Sequence, residues 1–137
     1  MFNTEEVMKH IKGQIKELGY RNEQLSYVSP YHDKLLSLCR NEKDLILFGA
    51  GAMGKKVLLD LKDNGLTSVR CFCDNKREGD VVMGLPVVSL EGAKKLFPKG
   101  CYVITPVGCE NEIFRQLLNA GISGDKIIIY IYTLTGV

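Results

Sequence analysis

The stretch Asp44 to Lys56, DLILFGAGAMGKK, constrains the fold more than any other part of the chain. Residues 45–48 are continuously apolar, as a strand covered on both faces must be. Gly49, Gly51 and Gly54 follow at once, and behind them Met53, Val57 and Leu61 recur every four residues. Lys55, Lys56, Asp60 and Lys62 fall on the opposite face, so 52–64 reads as an amphipathic helix that Gly65 ends. A strand, a glycine turn and a helix in that order begin a βαβ unit.

The rest of the chain continues the alternation. Strands are expected at 68–74, 86–89, 101–105 and 126–133, with helices at about 90–97 and 109–120 filling the gaps. Numbered from the first, these five strands imply a mostly parallel sheet in the order 3-2-1-4-5, with right-handed crossovers and helices on both faces. The expected fold class is therefore an α/β, Rossmann-like three-layer domain over 44–137, preceded by a helical segment over 1–43. The crossover NKREGDVVMGL is too short and polar for a full helix, so that half of the sheet is abbreviated.

In the N-terminal segment Val7, Met8, Ile11, Ile15 and Leu18 recur at helical spacing behind Asn3, with Glu6 completing a capping box and Gly19 as the stop. A second helix is expected from Ser29, which can cap it, with Pro30 in the first turn and Leu35, Leu38 and Cys39 facing inward. These stripes must be covered, either by the following domain or by a second copy of the chain.

Gly49, Gly51 and Gly54 form G-x-G-x-x-G between a strand and a helix, the context in which the pattern carries meaning. The first glycine permits the turn, the second lets a pyrophosphate approach the backbone, and the third lets helix and strand pack closely. A phosphate then lies against unpaired N–H groups at the positive end of the helix. An acid about 20 residues further on bonds a ribose hydroxyl in such sites, and Asp74 stands at the end of the second strand. The expected ligand contacts are Gly49, Ala50, Gly51, Ala52, Met53 and Gly54 in the turn, Asp74, Asn75 and Lys76 beyond the second strand, and Thr105, Pro106 and Gly108 beyond the fourth. A carboxylate at 74 repels a ribose 2′-phosphate and favours NAD-like ligands, an effect that Lys76 and Arg77 soften. The alternative is a glycine turn kept for packing, with Asp74 capping the next loop.

Catalytic machinery is not visible. The two histidines, His10 and His32, fall in the N-terminal helices and read as surface residues. There is no Tyr-x-x-x-Lys pair and no G-x-S-x-G elbow, and the turn ends in Lys55-Lys56 where a Walker motif needs Ser or Thr after its lysine. Cys71 and Cys73, two apart on a strand, share one face and suit a core, and Cys39, Cys101 and Cys109 supply no zinc-spaced pair. No metal is expected.

The chain has 137 residues, 45% hydrophobic and 25% charged, enough for one core. A formal net charge of +2 with scattered lysines argues against nucleic acid or an anionic membrane as partner. Glu5 and Glu6, with no apolar run behind them, argue against a signal peptide. A cytoplasmic protein with reduced cysteines is the expectation.

ILFGAGAMGKKVLLDLKDNGL, then CFCDN, GLPVVSLE and YVIT, resembles the Rossmann-like nucleotide or nucleotide-sugar binding module of bacterial polysaccharide and glycan biosynthesis proteins. It is similar to the N-terminal domain of sugar acyltransferases and of membrane-linked nucleotide-sugar dehydratases, and to a domain attached to some sugar-related methyltransferases and glycosyltransferases. The resemblance spans about 45–131, and its most telling elements are Asp74-Asn75 and the Gly-x-Pro-Val at 84–87. It implies that the three glycines face the ligand's phosphates and that Asp74 and Asn75 face its ribose or base. No acyltransferase repeat, dehydratase or methyltransferase domain follows, so no catalysis is carried over.

Binding of NAD(H) or a nucleotide-sugar is the leading expectation, with the catalytic unit of such a system not visible here. A small oxidoreductase or an S-adenosylmethionine-dependent methyltransferase is the second. A scaffold that self-associates through its N-terminal helices, with a vestigial pocket, is the third.

Overall fold

The computed structural model describes residues 9–10, 28–106 and 109–130, with side chains described from residue 32 onward in the first long helix. The expected first helix lies outside these residues except at 9–10, which are helical. The elements in chain order are α1 (Val28–Arg40), β1 (Leu45–Phe48), α2 (Ala52–Asp63), β2 (Val69–Cys73), β3 (Val81–Val82), β4 (Leu85–Val88), α3 (Leu90–Leu96), β5 (Cys101–Ile104), α4 (Glu110–Asn119) and β6 (Ile127–Ile129).

The sheet has six strands in the order β3-β4-β2-β1-β5-β6. All pairings are parallel except that of β3 with β4. The five strands expected from the sequence are β1, β2, β4, β5 and β6, and they stand in the expected order. The arrangement is the Rossmann-like α/β fold. Every residue of β1 and β5 is buried, which requires cover on both faces of the sheet.

The sixth strand corrects the reading of the short crossover. Val81 and Val82 turn back on Leu85 and Pro86 through a two-residue loop, Met83-Gly84, in which both residues have positive φ (51° and 81°). This is the backbone that a tight hairpin needs to match strand twist, and only its second residue is a glycine. Polar flanks masked the signal, because a two-residue strand has no periodicity to read.

A bulge separates Leu45↔Val69 from Ile46↔Cys71 and turns Arg70 outward, where its Nε donates to Asp44 Oδ1 at 2.9 Å. Past the bulge, Cys71, Phe72 and Cys73 are all buried. Burial pushes the thiol of Cys71 up to about 11. Cys73 reaches about 12 through burial, helped by the adjacent Cys71 and Asp74. These are core side chains.

The described part of α1 starts at Val28, so Ser29 lies inside the helix and not at its cap. Leu35, Leu36 and Cys39 belong to the same buried cluster as the sheet strands. Two contacts fasten α1 to α2: Arg40 Nη2 donates to Asn64 O at 3.0 Å, and His32 Nε2 meets the Asp60 carboxylate, which also accepts from the Tyr130 hydroxyl. His32 is thus half-buried and partnered, unlike the surface residue expected. His10 is also held, with its ring 4.7 Å from that of Phe114 and Nε2 3.2 Å from Ile127 O. Among the described residues, no helix is long and apolar enough to cross a membrane.

Candidate functional site

Strand order reverses between β1 and β5, and the carboxyl ends of both open onto one crevice, where ligands of open α/β sheets bind. There Gly49, Gly51, Ala52, Met53 and Gly54 on one side and Thr105 and Pro106 on the other line a cleft of about 270 Å³. The structure therefore brings together seven of the residues expected from sequence. Gly108 lies outside the described residues.

The three glycines are there for different reasons. Gly49 has φ +107°, and a Cβ on it would meet Pro106 Cγ and Thr105 Oγ1 at 2.9 Å, so both its conformation and its packing demand glycine. A Cβ on Gly54 would stand 2.1 Å from Gly49 O and 3.3 Å from Phe72 Cε1, so its bareness allows α2 to lie against the end of β1. Gly51 is different. Its backbone is extended (φ −84°, ψ −159°), open to any residue, and a Cβ there meets nothing within 4 Å among the described residues. The fold has no need for a glycine at 51.

Gly51 is the N-cap of α2 and supplies no side-chain cap, so the first-turn N–H groups of a twelve-residue helix face the cleft uncapped. The first turn of α2 holds no acidic residue, and Lys55 and Lys56 are exposed just behind it. The first turn of α4, across the crevice, carries Glu110 and Glu112. The positive end of the α2 dipole and the exposed Lys55 and Lys56 favour an anion at α2, whereas the carboxylates of Glu110, Glu112 and Asp74 oppose one.

Thr105 is 1% exposed, and its Oγ1 donates to Phe48 O at 2.8 Å and lies 3.4 Å from Gly49 O. The residue expected to line the pocket thus also ties the end of β5 to the glycine turn. Ala50 is buried.

Asp74 sits beside the turn. Its Oδ2 accepts from the Ala50 N–H at 3.3 Å and its Oδ1 from the Lys76 N–H at 3.0 Å. The carboxylate so reaches the turn from the end of β2, as the βαβ spacing implied, with each oxygen keeping room for a further donor. Asn75 points away from the cleft: its Oδ1 accepts from Leu90 N–H at 3.0 Å, at the start of α3. The Lys76 side chain is exposed. Arg77, next to it, is held at the turn: its Nη1 donates to Ala50 O at 2.8 Å while its Nε pairs with Asp80 Oδ2 at 3.2 Å. The Arg77/Asp80 spacing of three was the available signal. Among the described residues no three His, Cys, Asp or Glu side chains are grouped to hold a metal ion.

No protein-family model matches the sequence, and no curated protein matches it either. Among solved structures the chain is similar to the crystal structure of RSP, a Rex-family repressor, at 16% identity and a TM-score of 0.45, over 88% of this chain and 66% of that one. The chain thus spans just under two thirds of that structure's length, and a likeness this loose transfers no function.

Proposed function

We propose that the chain is a non-catalytic binding module for the nucleoside diphosphate shared by NAD(H) and nucleotide-sugars, with its phosphates at the N-terminus of α2 and its ribose towards Asp74. The observation that carries this reading is Gly51: a glycine with ordinary backbone angles and open space at its Cβ position is explained by what approaches from outside. The acid-free first turn of α2 and the carboxylate of Asp74 beside it support the reading. The resemblance of Asp74-Asn75 and Gly84-x-Pro86-Val87 to glycan-biosynthesis modules supports reading such binding as part of a sugar or polysaccharide pathway.

A thermal-shift panel of NAD, NADP, S-adenosylmethionine, UDP-sugars and CDP-sugars tests it. A ligand at 100 times its dissociation constant adds about 2.7 kcal/mol of stability. A shift with NAD or a nucleotide-sugar that disappears in Gly51→Val is the expected result. No shift with any nucleotide, or a shift that survives Gly51→Val, counts against the proposal.

A further inference from the structure

The loop between β2 and β3 does more than end a strand. Gly79 N–H donates to Val87 O at 3.0 Å and Val87 N–H donates to Asp80 O at 2.9 Å, so the loop is stitched to β4. Arg77 N–H donates to Asp74 O and Asp80 N–H to Arg77 O, at 3.1 and 3.0 Å, so the loop is also wound on itself. From this base two side chains reach the same residue of the glycine turn. Asp74 Oδ2 takes the N–H of Ala50, and Arg77 Nη1 donates to its C=O at 2.8 Å. Asp80 aims the guanidinium by accepting from Nε at 3.2 Å.

Ala50 lies between the glycine whose φ is +107° and the glycine that caps α2. Two flexible residues flank it, and holding both of its polar backbone groups fixes the peptide planes on either side. The direction of the N–H groups at the mouth of α2 depends on those planes.

We infer that Arg77 is a positioning residue: together with Asp74 it clamps Ala50 and pre-sets the phosphate-binding turn. This rests on the proposed nucleotide site for its purpose, but the clamp exists in the free protein and is testable there. A turn ordered before the ligand arrives loses less conformational freedom on binding, which is how a residue that never touches the ligand raises affinity. A cationic donor to a carbonyl also makes a stronger bond than a neutral one.

The experiment is amide hydrogen exchange on the full chain, ligand-free, for wild type, Arg77→Met and the milder Arg77→Lys, with calorimetric titration of NAD and UDP-glucose alongside. The expected result in Arg77→Met is exchange at least about fivefold faster at the bonded amides of the turn, Ala50 and Lys55, with β1 and β5 unchanged. Any nucleotide that the wild type binds should weaken about five- to tenfold, and Arg77→Lys should fall between the two. Unchanged exchange at Ala50 and Lys55 overturns the clamp, and if affinity still falls Arg77 acts by touching the ligand. Exchange that rises equally across β1 and β5 also overturns it, in favour of a general role in stability. If the wild type binds neither probe, the nucleotide reading fails while the exchange rates still decide the clamp.

Discussion

Gly54→Ala is expected to damage the fold itself, because the added methyl has nowhere to go. Its carbon would stand 2.1 Å from Gly49 O, about 0.9 Å inside the 3.0 Å below which real Cβ contacts essentially do not occur. The oxygen cannot swing aside, since Gly49 N–H is bonded to Cys73 O at 2.9 Å and Thr105 Oγ1 stands 3.4 Å from Gly49 O. The end of α2 must lift off the sheet instead, and Phe72 at 3.3 Å closes the sideways route. Overpacking a tight site costs about 1–3 kcal/mol, and a clash of backbone on backbone belongs at the top of that range. Replacing glycine by alanine in a helix returns about 1 kcal/mol, leaving a net loss of about 2 kcal/mol. For a domain of this size that lowers the melting temperature by roughly 6–10 °C. Thermal unfolding followed by circular dichroism measures it, with Gly51→Ser as control, since Ser caps at least as well as Gly and its Cβ enters open space. A Gly54→Ala protein that melts with the wild type would refute the packing argument.

Met83→Asn replaces a non-glycine residue at φ 51° with one that tolerates the left-handed region, so urea denaturation should show about 1 kcal/mol of added stability; a loss would contradict the hairpin geometry. Thr105→Val removes the hydroxyl bonded to Phe48 O and should cost about 1 kcal/mol by the same measurement, whereas unchanged stability would mean that the bond is worthless. Of five cysteines four are buried and Cys109 is exposed, so a thiol reagent at neutral pH should titrate one fast equivalent in the folded chain and five after denaturation. Burial raises Cys71 to about 11, and Cys39 and Cys73 to about 12, from an ordinary value of 9.0. Their folded values exceed their unfolded ones, so this contribution is intact below pH 9 and is lost as pH rises from 9 towards 12. Denaturation midpoints that stay flat across that window would contradict the burial.

Most of the sheet was legible because β1, β5 and β6 are continuous apolar runs, β2 is apolar apart from Arg70, and the helices that follow repeat apolar residues every three or four positions. Leu45 to Phe48 and Cys101 to Ile104 could be nothing but central strands. What escaped was local. The β3 strand is two residues long and turns on Met83, which no turn rule favours at positive φ. Ser29 proved to lie inside α1 and not at its cap, because Ser and Pro are equally at home at a cap and in a first turn. At the site, spacing identified Gly49, Gly51, Gly54 and Asp74, but only geometry separates the two glycines that packing requires from the one that it does not. Asn75 and Arg77 show the same limit. One side chain turns to α3 and the other to Ala50, and neither direction is written in residue type or spacing.

The most direct test of the account is a calorimetric titration of NAD and UDP-sugars into wild type and Gly51→Asp. Aspartate is a favoured N-cap in the backbone conformation that Gly51 already adopts, so the variant should melt at or above the wild-type temperature. Its carboxylate would occupy the place proposed for phosphate and repel it. Gly51→Asp should be at least as stable as the wild type and bind the nucleotide at least about a hundredfold more weakly. Nucleotide binding unchanged in Gly51→Asp would contradict this, because the phosphates would then lie somewhere other than the mouth of α2.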